Sequence, residues 1–70
     1  MSDITIQDIV KSLESFKRRL GRRHDADMRD NPHRARLTAR QYNIIERQIQ
    51  WLCYNFNAKR VTKVYFLEEK

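Results

Sequence analysis

Tyr42, Ile45, Ile49, Leu52 and Phe56 recur at steps of three and four, the seam of a helix that packs lengthwise against another helix. This pattern commits the second half of the chain to a helix, expected over residues 38–57 with Asn57 as its end. Ile44, Trp51 and Asn55 fall off the seam, so apolar surface remains after one helical partner has been satisfied. A large aromatic in that position, Trp51, reads as an interface or core residue before it reads as a base-stacking one.

The helical partner lies upstream. Thr5 followed three residues later by Asp8 forms a capping box, in which the hydroxyl serves an early backbone N–H and the carboxylate suits the positive end of the helix dipole. Ile6, Ile9, Val10, Leu13, Phe16 and Leu20 then fall on one stripe, which predicts a helix over residues 6–20. Gly21, the only glycine, follows Lys17, Arg18 and Arg19 and reads as the helix stop. The alternation of Ile4 and Ile6 also fits a short strand ahead of the helix.

Residues 17–40 hold nine basic side chains (Lys17, Arg18, Arg19, Arg22, Arg23, Arg29, Arg34, Arg36 and Arg40) and three acidic ones (Asp25, Asp27 and Asp30). The difference, 9 − 3 = +6, is the net charge of the whole protein, because six basic and six acidic residues balance elsewhere. No apolar period runs through residues 21–37, which predicts a long basic connector, a type of segment that is usually functional or disordered. Two start signals compete for the second helix. Asn31 and Pro32 suit an N-cap and first helical position, whereas Thr38 and Gln41 form a second capping box with Leu37 and Tyr42 as a staple. The firm apolar period from Tyr42 onward favours Thr38.

After Asn57, residues 61–67 (VTKVYFL) are rich in β-branched and aromatic side chains and predict a strand. A lone strand needs an edge partner, either the N-terminal segment or the same strand of a second subunit. The expected architecture is a single domain over residues 1–70, mainly α with a minor β element: a two-helix hairpin with a long basic connector and a C-terminal strand. A chain of 70 residues buries a small core, about 60% of its unfolded surface, so a homodimer through the second helix or the strand is the expected supplement.

Composition narrows the function. One cysteine, Cys53, sits in an apolar run and suits a small hydrophobe in a reducing cytoplasm. The first residues lack the basic flank and apolar run of a signal peptide, and no stretch has the length of a membrane span. A single glycine cannot build a phosphate loop. His24, Asp25, Asp27, Asp30 and His33 lack the spacing of a calcium or zinc site. Neither an enzyme, a metal nor a cofactor is expected.

Arginine outnumbers lysine eight to one in the basic stretch, and the guanidinium fork suits phosphate recognition and stacking. The leading expectation is a nucleic-acid-binding regulatory protein, DNA or RNA, whose nine basic residues contact phosphates. Lys59, Arg60 and Lys63 could extend the footprint. The long connector argues against a helix-turn-helix. The alternative is a protein-binding inhibitor or adaptor that docks the basic segment on an acidic partner and uses Trp51, Tyr54, Tyr65 and Phe66 as interface anchors. Attachment to an anionic membrane surface is weaker, because no free apolar helix face opposes the charges.

Overall fold

A computed structural model describes residues 3–69. Two helices of equal length, α1 (Ile6–Asp30) and α2 (Pro32–Phe56), form an antiparallel hairpin. The capping box is formed as the sequence predicts: Asp8 N–H donates to Thr5 Oγ1 and Thr5 N–H to Asp8 Oδ2, each at 3.1 Å. At the other end Asn57, at φ 54° and ψ 33°, turns the chain out of α2, a left-handed conformation that asparagine tolerates.

The long connector does not exist. α1 runs straight through Gly21 to Asp30, and one residue, Asn31, joins the helices. Its N–H donates to the Asp27 carbonyl at 2.7 Å, while its side-chain Oδ1 accepts from Arg34 N–H at 3.3 Å. It therefore closes one helix and caps the next. The start signal at Asn31 and Pro32 prevails over the one at Thr38. Thr38 lies inside α2, buried, with its hydroxyl 2.6 Å from Asp27 Oδ2 and 2.8 Å from the Arg34 carbonyl.

The tip was silent in apolar pattern because its contacts use small and polar residues. Ala35, Thr38 and Ala39 of α2 are buried there, and a Cβ placed on Gly21 would meet the Tyr42 ring at 3.5 Å. Gly21 lies inside α1, facing the Tyr42 ring, and is not a stop. The matched pairs Asp27 with Thr38, Gly21 with Tyr42 and Lys17 with Glu46 give the antiparallel register.

The expected C-terminal strand is also absent: no strand occurs among the described residues. Residues 58–69 run instead as an irregular tail over the helices. The reason lies in who supplies the hydrogen bonds. Gln7 pairs in both directions with Lys59, accepting from its N–H at 2.9 Å and donating to its carbonyl at 2.7 Å. Asn43 does the same for Leu67 at 2.8 and 2.7 Å. A primary amide offers the donor and acceptor of a peptide unit, so these two side chains stand where a neighbouring strand would.

Between those two clamps the tail is held by carboxylates. Glu14 accepts from Val61 N–H, from Thr62 N–H at 2.6 Å and from the Thr62 hydroxyl at 2.6 Å. Glu46 Oε1 accepts from Tyr65 N–H at 3.1 Å and Lys17 Nζ at 3.0 Å, and Arg60 Nη2 lies 2.8 Å from Oε1 and 2.7 Å from Oε2. Lys17 Nζ also donates to Thr62 Oγ1 at 2.7 Å. Two carboxylates face two cations, so the buried cluster is neutral, which is the condition for charges to persist out of water. Burial would raise the Glu14 carboxyl, but the bonds from Thr62 and Val61, with the Arg60 charge, outweigh it and hold the group below the usual glutamate range.

Candidate nucleic-acid interface

The basic residues reach their positions because the segment carrying them is helical. Arg18, Arg19, Arg22, Arg23 and Arg29 ride on α1 and Arg34, Arg36 and Arg40 on α2, all exposed. The ion pairs among the described residues are Lys17–Glu46 and Arg60–Glu46, and none of the eight arginines takes part in either. Lys17 departs from the set. Its side chain is 3% exposed and its ammonium is committed to Glu46 and Thr62, so it holds the fold and is closed to phosphate. Arg60 is likewise tied to Glu46, which removes it from the extended footprint.

The eight arginines do not make one flat face. On a helix of 3.6 residues per turn, Arg18, Arg22 and Arg29 share one stripe of α1, while Arg19 and Arg23 share another. Arg36 and Arg40 form a stripe on α2 that Arg47 continues. The eight arginines extend from the hairpin tip down both helices, and five of them line two clefts. Arg18 and Arg22 line a cleft under the tail with Tyr42, Lys63 and Tyr65. Arg19, Arg23 and Arg34 line a second one, of about 450 Å³, with Phe16, Leu20 and Leu37 and, on its α2 side, Thr38 and Gln41.

The apolar stripe of α1 predicts Phe16 in the core, and the second capping box gives Gln41 only a capping role. The structure leaves the Phe16 side chain 46% exposed with Arg19 Cζ 5.9 Å from its ring centroid. The signal lies in Arg19 and Arg23, which follow the aromatic by one and two turns.

The four candidate interface anchors are all exposed, and they separate into two pairs. Trp51 and Tyr54 line a cleft at the open end of the hairpin with Arg47, Cys53 and Val64. Tyr65 and Phe66 sit on the tail against His24, Met28 and Arg36. Trp51 packs edge-to-face on Phe56, centroids 5.7 Å apart, and joins Ile9, Leu13 and Leu52 in an apolar floor on the hairpin's surface.

His24, Asp25, Asp27, Asp30 and His33 are dispersed over the two helices near the tip, and no group of three or more metal-ligating side chains forms among the described residues. No described helix is long and apolar enough to cross a membrane. Comparison with known proteins returns no matching family model, no matching curated protein and no matching solved structure.

Proposed function

We propose that this protein binds nucleic acid through the arginine-bearing tip of its helical hairpin. The observation that supports this most directly is the presence of eight exposed arginines, none in an ion pair among the described residues, on two helices clamped side by side. Because the segment is helical and not a loop, the backbone positions that carry the arginines are held in a fixed pattern, and little backbone entropy is lost when they engage a polyanion. Arginine contributes charge and a bidentate fork to each phosphate.

The short link does not revive a helix-turn-helix reading. That motif joins its helices by three or four residues and crosses them steeply, whereas one residue joins α1 to α2 and the helices pair along their length.

Binding of mixed-sequence oligonucleotides at about 0.15 M salt tests the proposal. Replacing Arg22, Arg23, Arg34 and Arg36 with Gln, all on the surface, is expected to abolish binding and leave the helical circular dichroism unchanged. Undiminished binding by that variant would refute the assignment.

A second reading, a protein-binding adaptor or inhibitor, is favoured by the apolar floor of Ile9, Leu13, Trp51 and Leu52, which resembles the centre of a protein interface. In it, the basic tip steers the chain to an acidic partner and this floor seats the contact. Self-association through the same floor is the form a homodimer would take.

A further inference from the structure

We infer that the cleft rimmed by Arg19, Arg23 and Arg34 accepts an unstacked base together with its flanking phosphates, so that the preferred ligand is a single strand and not a duplex. This rests on the nucleic-acid reading above. The cleft, about 450 Å³, lies within the roughly 300–1,000 Å³ usual for ligand sites. Its lining includes Phe16, Leu20 and Leu37, of which Phe16 and Leu37 remain about half exposed, at 46% and 57%, so apolar surface that folding leaves wet is available to be covered.

The rim and walls match a nucleotide's parts. Arg19 and Arg23 stand one helical turn apart, about 6 Å along the axis, a spacing suited to consecutive phosphates of an extended strand. Arg34 faces them from the other helix, so cations border the cleft on both sides. The exposed Gln41 amide on the α2 wall carries both a donor and an acceptor, as recognition of a base edge requires.

Phe16 provides the discriminating chemistry. Stacking of bases on aromatic rings is the main sequence-tolerant contribution to single-strand binding. A duplex keeps its bases in its own stack and would offer this cleft only phosphates, leaving Phe16 in water. Arg19 Cζ lies 5.9 Å from the Phe16 ring centroid, at the outer edge of a cation–π contact, which sets its guanidinium beside the ring where the phosphate of a stacked nucleotide would lie.

Labelled single-stranded DNA of about 12 nucleotides, within the range a small domain covers, is titrated at about 0.15 M salt alongside a duplex of the same sequence. An abasic strand of equal length and polyglutamate complete the set. The expected result is at least about tenfold tighter binding of the single strand than of the duplex, the abasic strand or polyglutamate. Phe16→Ala should lose about tenfold for the single strand and nothing for the abasic one, and Phe16→Trp should restore the loss. Arg19→Gln with Arg23→Gln should weaken both strands.

Equal binding of duplex and single strand, or of abasic and normal strand, would overturn the inference and leave the nucleic-acid reading standing. Polyglutamate bound as tightly as DNA would overturn both in favour of an acidic protein partner, and no binding to any probe would also overturn both.

Discussion

Lys17 Nζ lies 3.0 Å from Glu46 Oε1, and neither side chain is more than 3% exposed. The pair joins α1 to α2, and through Thr62, Arg60 and Tyr65 it joins both to the tail. Removing one partner strands a charge without its counter-ion, which costs about 3–5 kcal/mol. Glu46→Ala should lose about that much in urea denaturation, a large share of what a domain this small possesses. A loss under about 1 kcal/mol would mean that the pair behaves as a surface contact.

Asn43 and Gln7 hold the two ends of the tail by paired hydrogen bonds to Leu67 and Lys59. Asn43→Ala should speed amide exchange at Leu67 by about 5- to 30-fold, from a loss of one to two kcal/mol. Gln7→Ala should do the same at Lys59, where the bonds are exposed, by a smaller factor. Helical amides in α1 and α2 should keep their protection; equal acceleration throughout would show global destabilisation and not tail release.

Glu14 carries the acid sensitivity of the tail. Its carboxyl is held below the usual value, about 4.3, by Thr62, Val61 and Arg60 against the opposing effect of burial. The unfolded chain therefore binds this proton more readily than the folded one. The contribution is complete above that usual value and is lost as pH falls through the depressed folded one. Glu14→Gln should be less stable at neutral pH and should show a flatter stability profile in acid. An unchanged acid slope would contradict the assignment.

Gly21 is helical, without a positive φ, and a Cβ there meets only the Tyr42 ring at an ordinary 3.5 Å. Gly21→Ala should therefore raise stability by about 0.5–1 kcal/mol, by removing glycine's cost in a helix interior. Thermal denaturation reads this directly. Destabilisation would indicate that the helices at this point cannot give way by a methyl group.

Much of the hairpin was legible in the sequence, and the predicted connector departs from the structure for one reason. The capping box at Thr5 and Asp8, the seam from Tyr42 to Leu52 and the turn at Asn57 depend on local chemistry, which a sequence displays. Apolar periodicity detects large side chains, so it fell silent where Gly21, Ala35, Thr38 and Ala39 bring the helices close. A segment without apolar period reads as a loop, and here only Asn31 and Pro32 carry the start signal of α2.

The tail failed for a different reason. Its β-branched and aromatic residues fit an extended chain, but Gln7, Glu14, Asn43 and Glu46 supply its hydrogen bonds from distant positions on helices. Nothing in local pattern announces such partners. The same long-range pairing removed Lys17 from the candidate phosphate contacts, since the charge that buries it sits 29 residues away.

The measurement closest to the central claim is the salt dependence of binding to short single-stranded DNA, duplex DNA and hairpin RNA. With about six of the eight arginines on phosphates, the log–log slope should be near −4 for a single strand and near −5 for duplex DNA, with tight binding persisting at about 0.15 M salt on at least one of the three. A slope near zero, or binding lost on all three by that concentration, would contradict nucleic-acid recognition by the hairpin tip.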